Sequence, residues 1–424
     1  MSLFSSDPFS SQALLAALKQ VTRFEPQGDP AANLCLGRGM LDGKPLRMAL
    51  VENRIASGSL GIKECAMLVP LFRVIALEKS PLILFLDSAG ARVSEGLPAL
   101  GAFRRMYGAA LTAAISGAPI VCVLGKHCFG GASMLAHLAH ARIFSPNTLL
   151  AMSGPSILAQ AAGSNALDEM FRAMASAAIG TEARARTSEQ NRLCQSENAL
   201  QEMLCTAIVE ATTPAPTQVR HDKLKERLGN ALENFHGEPL QRRDLDKLFA
   251  PGYRIVEQHG VVMGEAQYNG IICDVLGYVG GKPLGALQAW QLAELAWQLT
   301  NSPSSSTSRL LMLLLDCDTH ATRLDDEKLI LSEYLADLSL AFTAARARGL
   351  RTTVLSKAGG GVYVAFASPA KSVAILHGAQ IQVLPGSAIA SILGDNATTL
   401  TDSSDFLTAG VAEEELRIGL MPQL

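Results

Sequence analysis

The sequence predicts an α/β protein whose fold is built twice along one chain, and three observations carry that expectation. Of the 424 residues, 48% are hydrophobic yet only 5% aromatic, while Ala, Leu and Gly abound; this is the balance of helices packed closely on parallel sheets rather than of a β-sandwich. Two apolar strands, at 82–86 and 121–124, run into small-residue turns, Asp87-Ser88-Ala89-Gly90-Ala91-Arg92 and Cys128-Phe129-Gly130-Gly131-Ala132. Both devices return, since 311–315 leads through Asp316 into a polar turn and Val354-Leu355 leads towards Gly359-Gly360-Gly361. Asp87 and Asp316 stand 229 residues apart, Gly130 and Gly360 stand 230 apart, and Gly-Lys-Pro-Leu occurs at 43–46 and again at 281–284, 238 apart. Duplication accounts for an ordered repeat of this kind. The length suits two hydrophobic cores of about 200 residues each, placed at 1–245 and 246–424.

In chain order, residues 36–51 read as a hairpin, with an Asp42-Gly43 turn between short alternating strands. Residues 276–284 read as its repeat, through the shared Gly-Lys-Pro-Leu. Helical periodicity spans 99–116 and 328–347, and each helix is followed by a β-rich run, at 119–124 and 351–355. Each half therefore repeats β–α–β crossovers with mostly parallel strands. A polar stretch at 180–196 matches no element. Residues 212–218 are Pro-rich and read as a linker or turn before charged helices reaching Phe249. The Ser-rich run at 302–308 reads as an exposed loop.

A formal net charge of −3 without a long basic run gives no electrostatic reason to expect nucleic acid or an anionic membrane. No apolar run reaches the roughly 18 residues of a membrane span. Met1-Ser2-Leu3-Phe4-Ser5-Ser6-Asp7-Pro8 lacks the basic and apolar regions of a secretory signal, so a cytoplasmic location is expected. The eight cysteines form no C-x-x-C pair and lie mostly in apolar patterns, which suits reduced core residues better than a zinc ribbon or disulfide frame. Phosphate-loop, nucleophile-elbow and zinc-helix motifs are all missing, and His137 and His140 have no third ligand nearby. Neither a metal nor a resident cofactor is expected.

Backbone chemistry remains. Small-residue turns that open helices present free N–H groups to a negatively charged oxygen, and glycine removes the Cβ that would block a carbonyl's approach. The competing use of such glycines is tight helix-on-sheet packing, and the duplicate placement weighs against packing alone. Asp87 and Asp316 end strands where α/β sites lie, and are equally suited to capping the next turn. Arg92 and Glu95 are spaced for an i,i+3 pair, while the Arg92 fork also suits both oxygens of a carboxylate. Cys128 has only adjacent His127 as a basic partner, a poor arrangement for a nucleophile.

Taken in order, Gly39-x-Leu41-Asp42-Gly43-Lys44-Pro45, Ser57-Gly58-Ser59-Leu60-Gly61, Asp87-Ser88-Ala89-Gly90-Ala91-Arg92-x-x-Glu95-Gly96, Cys128-x-Gly130-Gly131-Ala132 and Ser153-Gly154-Pro155 resemble the signature of the acyl-CoA carboxyltransferase superfamily. Asp316-Cys317-Asp318 and Ser356-Lys357-Ala358-Gly359-Gly360-Gly361-Val362-Tyr363 resemble its partner domain more loosely. The pairing is most similar to the β and γ subunits of biotin-independent malonate decarboxylase joined in one chain. Ser57-Gly58 stands where the family usually has two glycines, and the four-cysteine ribbon of bacterial acetyl-CoA carboxylase β-type domains is missing.

The resemblance implies two crotonase-like β-β-α superhelix domains in tandem, with the site where an N-type domain faces a C-type domain, hence a homodimer or hetero-oligomer. It implies a malonyl thioester substrate, carried on coenzyme A or on the phosphopantetheine-type arm of an acyl carrier protein. Amides near Ala89, Gly90, Ala91, Gly130 and Gly131 would hold the thioester oxygen, and Gly359, Gly360 and Gly361 would form a second hole that steadies the departing carboxylate. Ser88, Arg92, Cys128, Phe129, Met152 and Tyr363 would touch the substrate, and Ser88, His127, His320 and Tyr363 are the candidate proton donors. The alternatives are a biotin-dependent acyl-CoA carboxyltransferase subunit and a crotonase-like scaffold without catalysis.

Overall fold

A computed structural model describes residues 10–163, 169–212, 217–301, 309–384 and 403–417. The first nine residues, most of the Pro-rich piece and the Ser-rich run at 302–308 lie outside the described residues. The chain forms two compact units. One is built from Met1–Arg92, Thr112–Pro214 and Thr322–Ser332, the other from Val93–Leu111, Ala215–Ala321 and Glu333–Leu424.

The first unit holds a sheet of strands β1 (Glu25–Pro26), β2 (Leu34–Leu41), β3 (Lys44–Val51), β4 (Leu82–Ser88), β5 (Ile120–Phe129), β6 (Ala141–Phe144), β7 (Leu149–Ala151) and β8 (Asn191–Leu193). They lie in the order β1-β2-β3-β4-β5-β6-β8, with β7 also beside β5. The Asp42-Gly43 turn forms as expected, with φ of 51° and 72°, the paired positive values that a two-residue hairpin needs. From β3 onward the pairing is parallel, and all seven residues of β4 are buried, as both faces of a parallel sheet require. One face is covered by the helices Ser11–Val21 and Glu197–Thr212, whose Leu14, Leu18, Leu200 and Leu204 pack against Ile83, Phe85, Val121 and Ile143.

The second unit repeats the plan with β9 (Glu238–Pro239), β10 (Arg254–Gln258), β11 (Val261–Tyr268), β12 (Ile271–Tyr278), β13 (Leu310–Cys317), β14 (Arg351–Gly359), β15 (Ser372–Leu376), β16 (Gln380–Gln382) and β17 (Glu414–Leu416). The repeat holds residue by residue. The β4–β5 ladder pairs Leu86 with Leu124, shifts register, and resumes with Ser88 on Cys128; β13–β14 pairs Leu315 with Val354, shifts, and resumes with Cys317 on Ala358. The offsets of 229 and 230 read from the sequence thus survive through an irregularity copied in both halves. Gly130 and Gly360 become equivalent, with φ of 56° and 52°. This is the crotonase-like β-β-α plan.

Three expectations are corrected. Gly281-Lys282-Pro283-Leu284 is no hairpin: it follows β12 and leads into the helix Ala286–Asn301. The turn equivalent to Asp42-Gly43 is Asn269-Gly270, with φ of 48° and 78°, because Asn-Gly meets the same conformational demand. The helix expected over 328–347 is broken into Leu324–Lys328 and Leu331–Ala344 by Ile330 at φ 68°. The unassigned stretch at 180–196 contains the helix Thr181–Ala185 and strand β8, which pairs with β6.

Candidate active site

The two small-residue turns of the first unit meet at the carboxyl ends of β4 and β5. Gly58, at φ 70°, lies so close to the strand that a Cβ there would be 1.9 Å from the Asp87 carbonyl oxygen. Next to it the Ser57 carbonyl accepts the Ala89 amide at 2.9 Å. Leu60 then pairs with the turn, donating to Gly90 O at 2.7 Å and accepting from the Arg92 amide at 2.8 Å. Gly90, at φ 90°, faces the other turn: its Cβ would lie 3.0 Å from the Gly131 nitrogen and 3.0 Å from the Phe129 carbonyl. Gly130, at φ 56°, directs its amide to Ala151 O at 3.2 Å and Met152 O at 3.1 Å.

The structure therefore sorts the amides that the sequence nominated. Ala89 is committed to Ser57, Gly130 to β7 and its next residue, and Gly90 to the Ser88 hydroxyl at 3.2 Å. The amides of Ala91 and Gly131 have no acceptor among the described residues. Gly131 is the first residue of the helix Gly131–Ala136, where no intrahelical acceptor exists for an N–H. Ala91, Phe129, Gly130 and Gly131 are half-buried, so the corner is open to a ligand. What it can do is hold one small oxyanion.

The candidate side chains are placed as follows. Ser88 is buried. Cys128 is fully buried, and desolvation first, then Cys122 and Asp87, pushes its thiol well above the ordinary value; it stays a thiol and forms wall, not nucleophile. Phe129 packs against Gly154, where a Cβ would meet its ring at 3.2 Å, and its ring lies tilted against that of His127, centroids 5.5 Å apart. Burial first, with Lys126, lowers the His127 pKa against the opposing pull of Asp87, so its imidazole is neutral at pH 7. Asp87 is structural: it accepts the His127 amide at 3.1 Å and the Ser11 hydroxyl at 3.0 Å. Met152 receives the Ser133 hydroxyl on Sδ at 3.5 Å.

Arg92 already holds a carboxylate of its own chain. Its Nη2 binds Glu64 and the Ser59 carbonyl, the latter at 2.7 Å, and Glu64 also accepts the Gly61 amide at 3.1 Å. Removing one partner of a buried pair strands the other charge. Arg92→Met is therefore expected to cost about 3–5 kcal/mol of stability, seen as a lowered thermal midpoint, with KM for the thioester nearly unchanged in whatever folds. A large KM rise at unchanged stability would return Arg92 to the role of substrate clamp.

In the second unit Gly359, Gly360 and Gly361 are buried. A Cβ on Gly359 would lie 2.4 Å from Asp318 O, and one on Gly360 would lie 3.2 Å from His320 Nδ1. His320 is thus brought to the second glycine turn, and desolvation lowers its pKa to about 4. Tyr363 is buried, donates its hydroxyl to Val411 O at 2.5 Å, and is pushed by desolvation up to about 12. A cavity of about 550 Å³ in this unit is lined by Arg242, Arg243, Lys247 and His377 over Leu355 and Leu376; none of the nominated glycines lines it.

Buried groups in both units carried no signal in the sequence. Glu327, fully buried, accepts the Ser153 amide at 2.7 Å and the Met152 amide at 3.3 Å, and Arg184 Nη2 lies 3.7 Å from it. Burial raises the Glu327 pKa to about 7 although Arg184 and the two amides pull it down. In the second unit His221 sits between Asp337 at 2.6 Å and Glu294 at 2.9 Å and stacks on Trp290; burial opposes its charge, but the two carboxylates outweigh it and raise its pKa.

Residues 2–220, more than half of the chain, match the family model described as the carboxyl transferase domain. The chain belongs to that family. Residues 280–414 match the model described as the malonate decarboxylase gamma subunit. Among curated carboxyltransferase relatives, the methylmalonyl-CoA carboxyltransferase 12S subunit of Propionibacterium freudenreichii subsp. shermanii is 29% identical over 35% of this chain and 29% of its own. The acetyl-coenzyme A carboxylase carboxyl transferase subunit beta of Gluconobacter oxydans is 29% identical over 30% of this chain and 44% of its own. The chain thus spans less than half the length of each. A crystal structure of a Pseudomonas malonate decarboxylase hetero-tetramer in complex with malonate is 21% identical, covering 53% of this chain and 91% of that one with a TM-score of 0.44. For transcarboxylase 12S with hydrolyzed methylmalonyl-coenzyme A bound the values are 19%, 95%, 85% and 0.38. Among the described residues no helix is long and apolar enough to cross a membrane.

Proposed function

We propose that this carboxyltransferase-family chain decarboxylates a malonyl thioester to the acetyl thioester. The observation that carries the reading is the meeting of Gly90 with Gly131, which leaves the Ala91 and Gly131 amides without acceptors at one half-buried corner. The bond between C2 and the carboxylate breaks, CO2 departs, and the electron pair moves into the thioester carbonyl as an enolate. The two amides hold that oxygen, each donor contributing about 3–4 kcal/mol at the transition state. Cys128, Phe129 and Met152 supply an apolar wall, where loss of the substrate's negative carboxylate is favoured. The enolate carbon then takes one proton, which comes from solvent and is relayed through the His127 imidazole or the Ser88 hydroxyl beside the corner. The match of 280–414 to the malonate decarboxylase gamma model supports this reading over others.

The second reading is transfer of the same carboxylate to biotin, supported by the names of the carboxyl transferase relatives. Both reactions need the same enolate. Coenzyme A or an acyl carrier protein as carrier, and a homodimer or hetero-oligomer as working form, belong to the same proposal. Purified protein incubated with malonyl-CoA, and separately with a malonyl carrier protein, is expected to release CO2 and acetyl thioester in equal amounts. Carboxybiotin-dependent exchange without spontaneous CO2 release would select the transferase, and inertness in both assays would select the scaffold.

A further inference from the structure

We propose that the buried Arg184–Glu327 pair is a positioning device that grips the end of β7, fixes Gly130 in its positive-φ conformation and so aims the Gly131 amide at the substrate oxygen. The proposal rests on the decarboxylase reading above and adds two residues to it that lie in neither glycine turn.

The contacts form one unbroken series inside the first unit. Arg184, from Thr181–Ala185, donates through Nε to the Leu150 carbonyl at 2.9 Å. Glu327, from Leu324–Lys328, takes the Ser153 amide on Oε1 and the Met152 amide on Oε2. The charged ends of the two side chains stand 3.7 Å apart, and each is at most 1% exposed. Between them run Leu150, Ala151, Met152 and Ser153. The Ala151 and Met152 carbonyls are the two acceptors of the Gly130 amide. Glu327 therefore holds the N–H side of the segment whose C=O side holds Gly130. Thr181, at the start of the Arg184 helix, ties the other end of β7 by accepting the Thr148 amide at 3.1 Å.

Stability alone does not explain the pair. The attraction between two fully buried charges is largely cancelled by their lost hydration, and an apolar pair of similar bulk commonly serves the fold as well or better. What an apolar pair lacks is acceptors for the Met152 and Ser153 amides and a donor for Leu150, and those bonds decide where the neighbouring carbonyls point. A misplacement of about 1 Å at a reacting centre costs roughly 10²-fold in rate, so alignment is worth more here than the ion pair itself.

The test replaces the pair by uncharged residues of similar size, Arg184→Met together with Glu327→Leu, in the full-length protein. The thermal midpoint is expected to fall, because the Met152 and Ser153 amides and the Leu150 carbonyl lose buried partners, while kcat on malonyl-CoA in the folded protein falls roughly 10²-fold and KM moves by less than about threefold. Glu327→Gln, which keeps one acceptor oxygen, is expected to lose less turnover than the double variant. Hydrogen–deuterium exchange gives a readout independent of turnover: in the double variant the peptide containing Gly130 is expected to exchange roughly tenfold faster, its amide having lost a fixed acceptor. Unchanged exchange there overturns the proposal, as does faster exchange with wild-type kcat. If the wild-type protein acts on no malonyl thioester, the decarboxylase reading fails while the exchange result still decides the clamp.

Discussion

Gly90→Ala is expected to lower kcat/KM on the malonyl thioester about 10²- to 10³-fold in a protein that still folds. The added methyl would stand 3.0 Å from the Gly131 nitrogen and 3.0 Å from the Phe129 carbonyl, tighter than most real Cβ contacts, and in front of one of the two amides left for the enolate oxygen. Either the methyl covers that amide or the turns move apart and the pair no longer converges. A non-glycine residue at φ 90° also carries strain of about 1–3 kcal/mol, which lowers stability without by itself ending turnover. Gly43→Ala separates the two effects. Gly43 has φ 72° with nothing within 4 Å of a Cβ, so it bears the strain but lies away from the corner. The check is turnover and thermal melting of both variants: Gly43→Ala should keep its rate and Gly90→Ala should lose it. A Gly90 variant with full turnover would remove this corner from the reaction.

Much of this was legible because the signals are local. Alternating apolar residues around Asp42-Gly43 dictate a hairpin, and Leu82–Leu86 dictates a buried parallel strand, without knowledge of anything distant. The repeat was legible in its landmarks but misread at Gly281-Lys282-Pro283-Leu284, where four matching letters outweighed the conformational requirement. Two adjacent residues that tolerate positive φ are what a hairpin turn demands, and Asn269-Gly270 meets the demand with different letters. The glycine turns were legible as turns, but not which of their amides are free. Occupancy is set by the Ser57 and Met152 carbonyls, brought in by strand pairing that local pattern does not encode. Glu327 was invisible for a related reason. It stands in Asp325-Asp326-Glu327-Lys328, a run that reads as a solvated helix start, and only the Met152 and Ser153 amides make its burial tolerable. Arg184 hides the same way in a polar stretch without periodicity.

Adjacent substitutions at 57 and 58 are expected to give opposite results. The sequence has Ser57-Gly58 where the family pattern has two glycines, a departure compatible with lost catalysis. The geometry assigns the two positions different duties. Gly58 Cα faces β4, and a Cβ there would sit 1.9 Å from Asp87 O and 3.0 Å from Asp87 C. Gly58→Ala must therefore push the loop off the strand end, breaking the Ser57 to Ala89 bond on which the turn rests. Backbone overlap together with strain at φ 70° is expected to cost at least about 3 kcal/mol, lowering the thermal midpoint by roughly 6–12 °C and turnover with it. Ser57 contributes only its carbonyl, which every residue type has, and its side chain is exposed. It lies at φ 55° and ψ 36°, where glycine is relieved of the Cβ penalty but loses more freedom on folding. Ser57→Gly is therefore expected to stay within about 1 kcal/mol of wild type and to keep full turnover. A melting curve and a CO2-release assay on each variant decide the matter. A tolerated Gly58→Ala, or an inactive Ser57→Gly, would show that the turn is held by something other than this single close approach.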